Sequence, residues 1–110
     1  MERAVFVYIT YPSLVEAEAA GRALVERRLA ACANILPRMV SIYRWQGEIE
    51  RAEEVVMILK TRASLADPLR AAVKEMHSYA TPAIIVIPLE SVDPDYLAWM
   101  TAETEPPAGT

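Results

Sequence analysis

The chain has 110 residues, 54% of them apolar and 24% charged, which is one domain's length and enough for a single core without disulfides or a structural metal. Acidic residues outnumber basic ones, 15 to 11, for a net charge of -4, which argues against a phosphate-backbone binder. A lone Cys32 excludes an intrachain disulfide and points to a reducing compartment, and a lone His77 excludes any two-imidazole site within one chain.

Ala4 to Tyr11 (AVFVYITY) reads as a buried strand that Pro12 ends. Ser13-Leu14-Val15-Glu16 has the capping-box pattern, in which the hydroxyl caps a helix and Glu16 reaches back to its start. That helix is predicted to run to about Arg28, with Arg27 and Arg28 in its last turn. The small residues Ala17 and Gly21 in its apolar stripe would let it lie close to a sheet.

Ala31 to Trp45 is extended in character, with Pro37 interrupting it, and Gln46-Gly47 gives a tight turn. Glu48 to Thr61 leads back as the second arm of a hairpin, charged at first and continuously apolar from Val55 to Leu59. Each arm of roughly 14 residues would span about 45 Å, whereas a compact domain of this size is only about 35 Å across. The tip is therefore expected to overhang its own core, unless Pro37 divides the arm, and to expose Ile42, Tyr43, Trp45 and Ile49. Another subunit is the natural cover, so a homo-oligomer is expected.

A second helix is predicted over Ser64 to about His77, capped by Ser64 or Asp67, with Leu65, Leu69, Val73 and Met76 at helical spacing. Ala83 to Leu89 reads as a short buried strand, and Asp93-Pro94-Asp95 starts a last helix carrying Tyr96, Leu97, Trp99 and Met100. Residues 1–104 form one predicted domain and 105–110 a frayed tail. The order β-α-β-β-α-β with a terminal helix is the α+β, ferredoxin-like plan: a sandwich with a long central hairpin. No segment is long and apolar enough for a transmembrane helix, and Met1-Glu2-Arg3 lacks the pattern of a secretory signal, so a cytoplasmic protein is expected.

Few residues offer chemistry. His77 reads either as a metal ligand or general base, or as a helix-terminal histidine bonding the last carbonyls. Cys32 reads as a soft-metal ligand or nucleophile, or as a small buried apolar residue. Met57 and Met76 fall in core patterns, while Met39 and Met100 are ambiguous. Glu48, Glu50, Glu53 and Glu54 are oxygen donors for a hard cation, or a charged strand protected from edge aggregation. Lys60 closes an apolar run and either faces a cleft, where it would bind an anion, or marks the strand's exit to solvent. There is no phosphate loop, no paired-cysteine motif and no HExxH.

Three stretches, Leu24–Pro37 (LVERRLAACANILP), Ser41–Glu50 (SIYRWQGEIE) and Met57–Arg62 (MILKTR), resemble the CutA family of divalent-cation tolerance proteins. Thr10-Tyr11-Pro12, His77-Ser78-Tyr79 with Pro82, and Tyr96-Leu97 with Trp99 support the likeness. The resemblance implies a non-enzymatic homotrimer that acts in the response to metal ions and is similar overall to the PII signalling proteins. The acidic balance and the lack of an aromatic RNP pattern argue against a nucleic-acid partner, and no membrane partner is expected. The resemblance places Trp45, Lys60, His77 and Tyr79 near a cleft between subunits. Family members are suggested to bind copper through a Cys on the first strand and a His pair, which would make His77 a ligand for Cu or another divalent metal ion. Here Ile9 and Met76 stand at two of those positions, and Ala80 and Ala83 at two acidic ones. The alternative is a PII-like sensor or protein scaffold taking a small anion in the same cleft, with Lys60 and Arg44 supplying the charge.

Overall fold

The structure, a computed structural model, describes residues 2–106. Of the predicted tail, residues 107–110 lie outside the described residues. Four strands and three α-helices are formed: β1 (Ala4–Tyr11), α1 (Leu14–Glu26), β2 (Cys32–Trp45), β3 (Glu48–Arg62), α2 (Ala66–Met76, after a 3-10 turn at Ala63–Leu65), β4 (Ile84–Pro88) and α3 (Pro94–Glu103). The sheet is antiparallel in the order β2-β3-β1-β4, which is the ferredoxin-like arrangement expected.

One face of the sheet carries the core. Val5, Val7, Ile9 and Tyr11 of β1 alternate toward it and meet Val55, Met57 and Leu59 of β3. Ala17, Ala20 and Leu24 of α1, with Leu69 and Val73 of α2, close it from above. Gly21 seats α1 on the sheet: a Cβ there would stand 3.0 Å from Met57 Sδ and 3.1 Å from Ala33 Cβ. The opposite face is largely uncovered except where α3 packs Met100 on Ala4 and Ala31.

Several boundaries differ from the sequence reading. Helix α1 ends at Glu26, and Arg28 adopts the left-handed conformation (φ 60°). Its N–H donates to Val25 O and that of Leu29 to Leu24 O, both at 3.0 Å, which is a Schellman closure with Arg where glycine is usual. Neither Ser64 nor Asp67 caps α2. The Ser64 N–H instead donates to Glu2 Oε1 at 2.7 Å, and Asp67 pairs with Arg70 inside the helix. Met76 ends α2 partly exposed rather than in the core, whereas Met57 and Met100 are buried. Strand β4 is half exposed, not buried: it is an edge strand paired only with β1, so Ile85 and Ile87 face away from the helices.

The hairpin is as long as expected. Its arms have 14 and 15 residues, and the chain measures 50 Å along its longest axis. The radius of gyration, 14.9 Å, exceeds the ~13 Å of a compact chain this size. Pro37 does not break the arm. It sits in a β-bulge, where the register shifts by one residue between Leu36–Val56 and Met39–Glu54. At the tip Gln46 (φ 50°) and Gly47 (φ 85°) form the left-handed pair of a type I′ turn. Gly21→Val should destabilise the subunit by about 1–3 kcal/mol in urea denaturation, because the added methyls meet Met57 and Ala33; an unchanged midpoint would mean that α1 has room to lift.

Candidate functional site

Strand β1 stops at Tyr11 while the hairpin continues beyond it, and the segment from His77 to Ala83 crosses the gap before entering β4. The notch left between hairpin and crossing segment is a cleft of about 550 Å³. Tyr43, Trp45 and Glu54 line its hairpin side, and Ser78, Tyr79 and Thr81 the other. The bulge at Pro37 makes this arrangement. Beyond it, Tyr43 pairs with Glu50 and Trp45 with Glu48, so both aromatics share a face with Glu54. A one-residue slip moves every side chain of a strand to the opposite face. Without the bulge the two rings would lie on the face of Val55 and Leu59.

His77 lies immediately behind the cleft with its side chain fully buried. Helix α2 ends at Met76, and His77 is already extended (φ -80°, ψ 138°). Its Nδ1 accepts the Tyr79 N–H at 3.0 Å. A ring nitrogen that accepts leaves the proton on the other, so Nε2–H donates to Thr10 O at 2.7 Å. Both nitrogens of a neutral imidazole are thereby committed. The ring stacks on Tyr11 (centroids 4.3 Å apart) and meets the tilted ring of Tyr79 at 4.9 Å. His77 does not close its own helix, as one reading of the sequence had it, but ties the end of β1 to the crossing segment.

Two carboxylates flank this stack. Glu16 does not reach back to its helix start as the capping box predicts, although Ser13 Oγ does accept the Glu16 N–H at 3.2 Å. Its carboxylate instead accepts the Ser78 N–H (3.0 Å) and the Ser78 hydroxyl (2.7 Å). Glu54 Oε2 accepts the Tyr79 hydroxyl at 2.9 Å. Partial burial, then the Glu54 bond, pushes the Tyr79 phenol up to about 12. Burial, then the charge of Glu16, does the same to Tyr11, whose buried hydroxyl has no hydrogen-bond partner among the described residues.

The four residues expected at one cleft are divided. Trp45 and Tyr79 line it, and His77 supports it from behind. Lys60 does not join them within the subunit. It lies toward the other end of β3, with Nζ donating to the Tyr96 hydroxyl at 3.4 Å and standing 5.4 Å from that ring's centre. Cys32 sits opposite Lys60 on β2, partly buried, its Sγ donating to Asn34 Oδ1 at 3.7 Å. Glu53 is paired with Arg38 and Arg51. Among the described residues no three His, Cys, Asp or Glu side chains gather closely enough to hold a metal ion. Among the described residues no Lys or Arg lines the cleft. Sequence reasoning missed Tyr43, Glu54 and Glu16 as parts of one site; the signal for the first two was Pro37, whose bulge resets strand parity.

Residues 5–103 match the family model described as CutA1 divalent ion tolerance protein. The divalent-cation tolerance protein CutA of Archaeoglobus fulgidus is 47% identical over 100 residues, covering 91% of this chain and 97% of its own. Mouse protein CutA is 42% identical over 98 residues, 89% of this chain; the chain spans only 55% of that longer relative. A solved structure, described as the periplasmic divalent cation tolerance protein CutA from Archaeoglobus fulgidus, superposes with a TM-score of 0.90 at 45% identity, covering 93% of this chain and 99% of that one.

A phenol whose pKa rises on folding from 10.0 to about 12 holds its proton more tightly in the folded state. The unfolded chain therefore loses protons first, and stability falls as pH climbs from about 10 toward about 12. Urea midpoints measured across that window should fall, and Tyr79→Phe should make the fall shallower. A pH-independent midpoint would show that neither hydroxyl is perturbed.

Proposed function

The chain belongs to the CutA1 divalent ion tolerance family, and from that premise we propose that it serves metal-ion tolerance as a non-enzymatic homotrimer with a ligand cleft beside Trp45 and Tyr79. The observation that carries the assembly is the hairpin. Val40, Ile42 and Ile49 share one face of its overhang and are 52%, 72% and 60% exposed. Exposed aliphatic side chains set among Arg44, Arg51 and Glu53 on a strand face with an open edge invite pairing with another copy. Three copies close a ring without leaving an unpaired end, and this agrees with what the family resemblance implies.

Binding rather than catalysis fits the cleft. Its polar groups are a carboxylate, hydroxyls and a phenol held un-ionised, with no nucleophile–base pair among them. The imidazole that would serve as base is spent on Thr10 and Tyr79. For the same reason the geometry gives no support to His77 as a resident copper ligand, and the response to metal ions is assigned to the assembled protein. Within one chain Lys60 lies toward the other end of β3 and does not reach this cleft, so a small anion there would need its cation from a neighbouring copy. The single cysteine supports a reducing compartment, and we place the protein in the cytoplasm on that ground.

Light scattering on the purified chain should give about three times the 12.2 kDa subunit mass. Ile42→Glu should lower that mass toward one subunit; a monomeric parent protein would remove the proposal. In titration calorimetry with Cu(II), His77→Asn should leave the binding stoichiometry unchanged. A site lost with the imidazole would restore His77 as a metal ligand.

A further inference from the structure

We propose that the cleft takes a small organic cation with an ammonium head. The inference rests on the cleft being a ligand site and goes beyond that reading by naming the ligand's chemistry. The cleft has the volume usual for a small-molecule site, about 550 Å³. Three aromatic rings line it: Tyr43 and Trp45 on the hairpin and Tyr79 on the crossing segment. Aromatic faces attract cations, and ammonium groups with attached carbon bind them best where water is partly displaced. Tyr79 is held in place at three points: its N–H on His77, its ring against the His77 ring, and its hydroxyl on Glu54. That rigidity lowers the ordering cost of binding.

The charge that this chain brings to the cleft has one sign. Glu54 is half-buried, and among the described residues it has no cationic partner, unlike its neighbour Glu53. Only one of its oxygens is engaged by Tyr79. A carboxylate without a counter-charge, facing aromatic walls and no Lys or Arg, leaves a positive charge as the complementary ligand. A bare metal ion is a poor occupant, because a hard divalent cation requires about six oxygen donors and the cleft offers one carboxylate. An organic cation needs one counter-charge and apolar contact area, which are the two things present.

The test uses the assembled protein carrying Trp99→Phe, so that Trp45 is the only fluorescent indole. Choline chloride is titrated against its uncharged carbon isostere, 3,3-dimethylbutan-1-ol, at constant ionic strength. Choline should change the Trp45 emission saturably and the isostere should not. Glu54→Gln, which keeps an acceptor for the Tyr79 hydroxyl, should weaken choline about tenfold. Equal response to the isostere, or choline binding untouched by Glu54→Gln, would overturn the proposal of a cation. The assembly reading is scored separately, by the mass of the same samples. A trimeric mass with no saturable choline response overturns the ligand class alone, and a monomeric mass overturns the assembly.

Discussion

The two hairpin strands, β2 and β3, are 14 and 15 residues long, while the strand that β3 pairs with on its other side, β1, has 8. The rest of the molecule follows from that mismatch. The inner half of β3 is clamped between β1 and β2 and carries Val55, Met57 and Leu59 into the core. Its outer half has a partner on one side only and stands clear of both helices. Backbone groups along such an edge, and side chains such as Ile42 and Ile49, stay exposed unless another chain covers them. The step where β1 ends also makes the notch that becomes the cleft.

Within that step, the bulge at Pro37 and the hydrogen bonds of His77 fix what faces what. Pro lacks an N–H and cannot sit regularly in a ladder, so the strand takes up an extra residue there. The extra residue sends Tyr43 and Trp45 to the cleft side and Val40 and Ile42 to the other. The hairpin therefore differs between its faces: Tyr43, Trp45 and Glu54 toward the cleft, and Val40, Ile42 and Ile49 among Arg44, Arg51 and Glu53 on the other. Opposite it, His77 joins the Thr10 carbonyl to the Tyr79 amide, and Glu16 joins α1 to Ser78. These bonds, with the Tyr79–Glu54 pair, hold the crossing segment at a fixed distance from the hairpin and leave one Glu54 oxygen without a partner among the described residues.

Much of this was legible in the chain. The strand and helix order, the hairpin length and the close seat of α1 at Gly21 all follow from periodicity and residue size. What the sequence concealed was long-range. Glu16 has a local partner in the capping-box pattern, and the structure gives it to Ser78, 62 residues away. His77 reads as a helix terminus, yet its partner is the end of β1, 67 residues back. Lys60 and Trp45 look like members of one cleft, and within one chain they lie on opposite ends of the hairpin, where register and not composition decides their neighbours. The half-exposed β4 was hidden because an apolar run looks the same whether one or both faces are covered.

Covering of the overhang by other copies is best read at its own backbone. Amide hydrogen exchange of the hairpin beyond the bulge, residues 39–54, reports directly on whether its exposed edge is paired. If neighbouring copies cover it, those amides should be protected about as strongly as the inner strand from Val55 to Leu59, and Ile42→Glu should release them. Fast exchange across the whole tip in the intact protein, with only the inner strand protected, would contradict the assembly on which the proposed function depends.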